Sequence, residues 1–460
     1  MKEHIHFIGI GGAGMSGLAR VLARQGVHVT GSDLRESPTL EALRREAGIV
    51  ATAGHQAANV QDAGLVVVSA AVRGGNPEIT AAQAAGIPIV SRAEMLGRMM
   101  NRYPHSIAVT GTHGKTTTTG MIATMLDIAG LDATVLIGGD LPRLGGNARA
   151  GDSGLFLTEA CEAYDSFLDL TPALAVITNI EADHLDYYGD LENVLRSFRQ
   201  FLSQVTETAV LCGDDSNIRR LIAEDRGTPA IVTYGLSSHV CLRACDLALD
   251  GMRPSYTVYR HDTRLGAVTL AVPGLHNVLN SLAAVSVGLQ LELPWAQIAD
   301  GLAQFTGTGR RFERLGETAS GTLVIDDYAH HPTEIRATLA AARRAHPERR
   351  IVAVFQPHLP SRTQDFKRQF AESFGDADFV VLTDIYLARE QPIEGVTGAG
   401  LAALTADRRG AEHVAYVADK AQIPARLADM VCPGDLLITL GAGDIRTAAE
   451  EFLAREGAAA

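Results

Sequence analysis

The residues best suited to chemistry form the run Gly111-Thr112-His113-Gly114-Lys115-Thr116-Thr117-Thr118-Thr119, placed directly after the apolar stretch 105–110. Glycines let backbone amides curl around phosphate, a lysine reaches the outer phosphates, and a following hydroxyl can hold magnesium. The run departs from strict GxxxxGK[ST], because the first glycine of that pattern falls on Val109. Its lysine is nonetheless conspicuous: of 40 basic residues only Lys2, Lys115, Lys367 and Lys420 are lysines. An ATP loop is expected here over a structural turn. Two later apolar runs end in polar groups. Leu155 to Thr158 precedes Glu159, Cys161 and Glu162, and Leu174 to Thr178 precedes Asn179, Glu181, Asp183, His184 and Asp186. In a parallel sheet both groups face the crevice outside the strands' carboxyl ends, and acidic oxygens there suit magnesium. Any one of these acids could as well cap a helix; together they read as a metal and phosphate site.

A second anion-binding turn opens the chain. The apolar run 4–8 leads into Gly9-Ile10-Gly11-Gly12-Ala13-Gly14, a helix fits Met15 to Arg24, and a strand at His28 to Ser32 ends at Asp33. That order of strand, glycine turn, helix, strand and acid is the setting in which a phosphorylated ligand rests on amides at a helix start, and it outweighs simple close packing of the helix. Farther on, Gly274-Leu275-His276-Asn277-Val278-Leu279-Asn280 opens an apolar helix ending near Gln290. Side-chain amides on an exposed turn there could read a base edge or could cap the helix. Strand ends in the last third carry Asp326, Asp327, Tyr328, His330 and His331, then Gln356, His358 and Arg362, and finally Gly441 to Asp444.

The elements that must hold these groups alternate between strand and helix. Further strands are expected at Leu65 to Ser69 and Pro88 to Val90. A helix is expected at Gly120 to Ala129 behind the lysine loop, and strands at 208–212, 230–234, 255–259 and 267–272, the last two paired as a side sheet. A final series runs 321–325, 351–355, 379–382, 414–417 and 436–440. The pattern is α/β with three units: residues 1–104, 105–312 and 313–460. A length of 460 residues supports about three domains at roughly 150 residues each. With 46% hydrophobic and 20% charged residues, disorder as the main character is excluded. The net charge of -13 argues against nucleic acid as a partner. No run of eighteen apolar residues and no secretion signal is present, so a cytoplasmic chain without membrane insertion is expected. Five cysteines are expected to be reduced, and Cys241 and Cys245 form a CxxxC with no second pair, which reads as incidental thiols.

ATP use alone leaves motors, kinases and ligases open. Two anion sites and three units fit a reaction that joins two substrates: a carboxylate attacks the terminal phosphoryl group, and an amine then displaces phosphate from the acyl phosphate. The lysine loop resembles the ATP loop of the Mur ligase family, which departs from the usual pattern in the same way. FIGIGGAGMSGLA from Phe7, EADHLDYYG from Glu181, HNVLN from His276, RRFERLG from Arg310, DDYAHHPTE from Asp326 and LGAGDI ending at Ile445 are similar to the alanine-adding branch of that family. The resemblance implies a Rossmann-like amino-terminal domain for UDP-N-acetylmuramate, a central ATPase domain with a side sheet, and a Rossmann-like carboxyl-terminal domain for L-alanine. It implies that Gly11, Gly12, Ala13 and Gly14 meet the pyrophosphate, with Ser69 nearby, and that Gly111, Thr112, His113, Gly114, Lys115, Thr116 and Thr117 hold ATP phosphate. Magnesium falls to Thr116, Glu159 and His184, with Asn179 in the same active segment. His276, Asn277 and Asn280 take the adenine side, and Arg311, Asp327 and Tyr328 border ATP. His330 and Arg362 are implied near alanine, with the arginine gripping its carboxylate bidentately.

Two departures bear on this. Many alanine-adding members have QPHRYTRT or QPHRYSRT where this chain has Gln356-Pro357-His358-Leu359-Pro360-Ser361-Arg362-Thr363, so Leu359 replaces an arginine. Members adding later amino acids often use a carbamylated lysine; no lysine lies between Lys115 and Lys367, which agrees with the alanine-adding branch. The competing readings are a ligase that attaches a recycled, alanine-starting peptide and a scaffold that senses UDP-sugar and ATP without turnover. An NAD-dependent oxidoreductase would leave the Lys115 loop unexplained. Monomer and dimer are both compatible with the sequence.

Overall fold

Alternation of short apolar runs with amphipathic stretches produces three sheets, each with its own strand order. The computed structural model describes residues 3–72, 74–224 and 229–457. The first sheet is wholly parallel, in the spatial order Ile49–Ala53, His28–Asp33, His4–Ile8, Leu65–Val68, Ile89–Ser91. The helix Ala13–Arg24 springs directly from the glycine turn. The strand Ile49–Ala53 lacks the apolar run that marks its neighbours: this edge strand buries only Ile49 and Ala51.

The second sheet runs Thr263–Thr269, Ser255–Arg260, Leu242–Ala248, Ala230–Gly235, Thr208–Cys212, Leu174–Ile177, His105–Thr110, Leu155–Glu159, Thr134–Leu141, Gly146–Arg149. Its central pairs are parallel and its outer pairs antiparallel. The expected side hairpin exists, but its second strand starts at Thr263 rather than 267, because the chain turns back at His261 with φ 52°. The helix behind the lysine loop spans Lys115–Ile128 and so begins five residues before the expected Gly120. Gly114, in the left-handed conformation at φ 83°, ends the loop and lets Lys115 open the helix.

The third sheet is ordered Glu313–Glu317, Leu323–Asp327, Leu436–Leu440, Ile351–Phe355, Phe379–Leu382, Val414–Tyr416, with only the first pair antiparallel. The strand expected to stop at Ile325 continues two residues further, so Asp326 and Asp327 lie within it. Its two faces carry separate apolar clusters, one with Leu339, Phe355 and Phe374, the other with Leu427 and Phe452.

Joints between the sheets differ in kind. The first and second share one continuous hydrophobic core. There Gly17 lets the first helix close on Leu136, and Asn147 Nδ2 donates to Ala13 O at 2.8 Å. The third unit meets the second through polar groups: Arg362 Nη2 to Asp183 Oδ1 at 2.8 Å and Thr333 Oγ1 to Glu181 Oε2 at 2.8 Å. All five cysteines are free, and no helix among the described residues is long and apolar enough to cross a membrane.

Candidate active site

The lysine loop is shaped by what surrounds it. Gly111 has φ 131°, and a Cβ there would collide with Thr178 Oγ1, so only glycine fits. Asn179 brackets the loop: the His113 amide donates to Asn179 Oδ1 at 2.8 Å, and Asn179 Nδ2 donates to His113 O at 3.1 Å. Expected among the catalytic groups, Asn179 therefore commits both ends of its amide to the loop backbone and stands as a clamp. The Glu181 amide donates to Thr112 Oγ1 at 2.8 Å, tying the loop to the next strand end. Lys115 Nζ curls back over the loop to Gly111 O at 2.6 Å and Thr112 O at 3.1 Å, and pairs with Glu162 at 2.8 Å. Burial alone would lower its pKa, but Glu162, with Cys161 and Glu159, reverses the sign and keeps the ammonium charged. An anion in the loop meets a fixed cation.

Beside the lysine, Thr116 Oγ1 donates to Glu159 Oε2 at 3.1 Å, and the Gly138 amide donates to Glu159 Oε1 at 2.6 Å. Burial raises the pKa of Glu159 despite these donors and Lys115. Gly138 and Gly139 leave open the space a side chain would fill: a Cβ would lie 2.8 Å from Glu159 Oε2 or 3.2 Å from Thr116 Cγ2. Hard oxygen donors with room between them fit magnesium. His184 Nε2 stands 3.9 Å from Glu162 Oε1, and burial lowers its pKa, leaving a neutral imidazole on the same side.

Behind the loop lies a pocket of about 340 Å³ lined by Gly114, Thr117, Asn179, His276, Asn277, Asn280, Arg311 and Asp327 among others, within the size of ordinary small-molecule sites. The His276 segment is no exposed turn: it forms the first turns of the helix Leu275–Gln290. Asn277 Nδ2 donates to Pro273 O at 2.7 Å, and Asn280 Nδ2 to Asn277 Oδ1 at 3.2 Å, which leaves Asn280 Oδ1 against Gly114. Burial holds the pKa of His276 down to about 4, so it is neutral near pH 7. Burial also pushes Asp327 up to about 6, against Arg311; its oxygens accept from the Phe312 amide at 2.7 Å and the Ala329 amide at 2.8 Å. Asp327 thereby organises the joint between the second and third units.

In front of the loop a cleft of about 1430 Å³ is lined by all three units, from Ala13 and Arg20 through Lys115, Thr116, Glu159 and His184 to Tyr328 and His330. At its amino-terminal end the glycine turn differs from expectation. The Gly11 amide is already taken by Asp33 Oδ2 at 2.9 Å and that of Gly12 by Gly9 O at 3.2 Å. The helix starts at Ala13 and its first intrahelical bond runs from the Ser16 amide to Gly12 O, so the amides of Ala13, Gly14 and Met15 are the ones its first turn leaves without a helical partner. Ser69 packs on Gly9, with its Cβ 2.9 Å from where a Gly9 Cβ would sit. Arg92, which the motifs did not single out, lies over Gly14.

At the carboxyl-terminal end, Arg310 and Arg311 flank the Tyr328 ring at 5.1 and 4.9 Å, and His330 Nδ1 is 3.0 Å from Tyr328 O. Arg362 is directed toward the central unit in this structure: its Nε and Nη2 both reach Asp183 Oδ1, at 3.3 and 2.8 Å. Leu359 is buried in a left-handed turn at φ 68° and supplies no cation in the missing arginine's place. Gly138, Gly139 and Glu334 carry no role in the sequence motifs above; a glycine pair inside a strand and a glutamate three residues after His331 are the only local signals they leave.

Comparison with known proteins bears on this geometry. Residues 4–104 match the Mur ligase family, catalytic domain; residues 109–288 match the Mur ligase middle domain; residues 310–443 match the Mur ligase, glutamate ligase domain. The chain belongs to the Mur ligase family. Its three sheets are the three domains of a Mur ligase, Rossmann-like at both ends with an ATPase domain between. It is 50% identical over 456 residues to the UDP-N-acetylmuramate--L-alanine ligase of Trichlorobacter lovleyi, covering 98% of this chain and 99% of the other. It is 47% identical to the protein of the same name from Geobacter sulfurreducens, covering 98% and 97%. Among Mur ligases of known structure, the crystal structure of UDP-N-acetylmuramate-alanine ligase from Thermotoga maritima is similar at TM-score 0.83 and 31% identity, covering 98% of both chains. A murein peptide ligase from Psychrobacter arcticus is similar at 0.71 and 26%, covering 100% and 99%.

Proposed function

We propose that the chain is an ATP-dependent ligase that joins L-alanine to the lactyl carboxylate of UDP-N-acetylmuramate, a step of peptidoglycan precursor synthesis in the cytoplasm. The observation that carries this reading is the 50% identity over nearly the whole length of both chains to a ligase of that name, combined with a cleft where all three domains meet at Lys115.

In this reading the nucleotide lies with its base side in the pocket of His276, Asn277 and Asn280 and its phosphates across the amides of residues 111–116. Ala13 and Gly14 receive the substrate's diphosphate at the amino-terminal rim, which leads its sugar carboxylate into the same cleft. The carboxylate oxygen attacks the terminal phosphorus, the bond from phosphorus to the ADP oxygen breaks, and an acyl phosphate forms. Lys115 offsets charge on the phosphoryl oxygens as it shifts between bridging and leaving positions. Thr116 and Glu159, with His184 beside them, would hold magnesium, which supplies Lewis-acid polarisation of the phosphoryl group when bound. The neutral amine of alanine then attacks the acyl carbon, the bond from that carbon to the phosphate oxygen breaks, and phosphate leaves with the proton the nitrogen gives up, so that an amide remains. His330, beside Tyr328 on the third domain, faces this cleft from the amino-acid side, and closure of that domain excludes the water that would otherwise consume the acyl phosphate.

The test is phosphate release with UDP-N-acetylmuramate and ATP across a panel of amino acids and alanine-starting peptides, with product mass recorded. Turnover strongest with free L-alanine and a product heavier by one alanyl residue is the expected result. Preference for the peptides would favour peptide ligation, the kind of activity named for the Psychrobacter arcticus murein peptide ligase, and no phosphate release with any acceptor would reduce the chain to a nucleotide-binding scaffold.

A further inference from the structure

Glu334 stands third in the helix Pro332–Ala345, where its Oε2 accepts from the amides of His330 at 2.9 Å and His331 at 3.2 Å. That much is ordinary capping. The rest of its environment is not. Oε1 lies 3.2 Å from His113 Nδ1 of the ATP loop, across the domain boundary, and 3.7 Å from Arg311 Nη1 at the joint. Oε2 lies 3.2 Å from His330 Nδ1, on the amino-acid side. One carboxylate thus touches a group from each of three places that the reaction must bring into register, and it lines both the nucleotide pocket and the front cleft. Burial would raise its pKa, yet His330 and His113 hold it well below the usual carboxylate range, so it is ionised. His113 is gripped from its other edge by Glu181 at 3.6 Å, and Glu181 in turn accepts from Thr333 Oγ1 at 2.8 Å.

We propose that Glu334 is a positioning residue that couples nucleotide binding at the loop to amino-acid binding on the third domain, an inference that rests on the ligase reading above. A charge-assisted hydrogen bond needs its partners near 3 Å and is lost once they part by an ångström or so. The His113 contact is therefore made only when the third domain is seated, whereas Arg311 stays with that domain, on the Tyr328 ring and between the amide bonds from Tyr328 to Arg310 O and from Phe312 to Asp327 Oδ2. A nucleotide that orders the loop and Arg311 favours the seated domain, and the seated domain aligns His330 and Tyr328 for the amino acid. By linkage the effect is reciprocal.

The capping and coupling roles separate in one substitution. Glu334→Gln retains an oxygen acceptor for the helix amides, a residue type that capping boxes use, while removing the charge that faces His113 and Arg311. In the full chain saturated with UDP-N-acetylmuramate, calorimetry gives the Kd of a non-hydrolysable ATP analogue with and without L-alanine. The wild type is expected to bind the analogue roughly fivefold or more tightly when alanine is present. In Glu334→Gln that ratio should fall to about one, KM for ATP and for alanine should rise together, and the Kd of the UDP-sugar should stay the same. A double substitution with His113→Gln should show no further loss of coupling. Should Glu334→Gln not fold, Glu334→Asp, which keeps the charge on a shorter stem, is expected to show partial coupling. A ratio that persists in the substituted chain, a wild type with no ratio above one, or a change confined to one ligand's KM would overturn the coupling role. Absence of alanine-dependent phosphate release by the wild type would instead sink the ligase reading itself, so the two failures are distinct.

Discussion

Lys115 concentrates the chemistry in a single side chain. In this structure its ammonium is held by two loop carbonyls and Glu162, contacts that incoming phosphate oxygens replace. Lys115→Ala is expected to cut turnover by about 10²–10³-fold, the loss seen when a fixed charge-stabilising donor is removed from a transition state. UDP-sugar binding should change little, since Ala13 and Gly14 lie on another domain. Initial rates, with UDP-sugar affinity from calorimetry, check both halves, and unchanged turnover would remove the lysine from the reaction. Other residues were readable from the sequence by type but not by partner. Asn179 was visible as a polar group at a strand end, yet its role as a clamp depends on His113 lying opposite it, 66 residues away in sequence. Arg362 was visible as a cation, and only the seating of Asp183 against it, 179 residues distant, shows where its charge is directed. Side-chain pairing across domains leaves no local pattern.

Elements tell a complementary story. Strands with continuous apolar runs, such as His4–Ile8, His105–Thr110, Ile351–Phe355 and Leu436–Leu440, were readable because parallel strands buried on both faces leave that mark. Ile49–Ala53, Thr134–Leu141, Gly146–Arg149, Leu242–Ala248 and Glu313–Glu317 were not, since edge position, glycines or half-exposed faces dilute the signal. The helix Lys115–Ile128 starts five residues before its expected position; the expectation falls late because four threonines follow the lysine, and β-branched residues argue weakly for helix. What fixes its start is Gly111 and Gly114, whose backbones occupy conformations and spaces closed to other residues. Gly111→Ala must therefore either displace Thr178 or open the loop. We expect a chain that keeps most of its far-ultraviolet circular dichroism but binds ATP at least tenfold more weakly, measured by nucleotide titration. Unaltered ATP affinity would show that the loop tolerates a side chain at Gly111.

At the scale of the molecule, a shared apolar core fuses the first two domains, whereas polar contacts dock the third. The buried Arg362–Asp183 pair is the shortest charge contact described between them. Removing one partner of such a pair costs about 3–5 kcal/mol, because the other charge is left buried. Burial would raise the pKa of Asp183, but Arg362 holds it well below its usual value. A carboxyl depressed in the folded state contributes stability above its unfolded pKa of about 3.9, and that contribution is lost as pH falls through the folded value. Arg362→Met should thus melt well below the wild type at pH 7, with the gap in Tm narrowing as pH drops below about 4. A gap independent of pH would mean that the pair does not hold the third domain in place.

All three scales converge on one chemical event, activation of the sugar carboxylate by ATP in the cleft where the domains meet. The most direct measurement labels that carboxylate with oxygen-18 and follows the label by mass spectrometry during turnover with L-alanine. Transfer through an acyl phosphate places one labelled oxygen in the released inorganic phosphate for each amide formed. Amide accumulating while the phosphate stays unlabelled would contradict the mechanism.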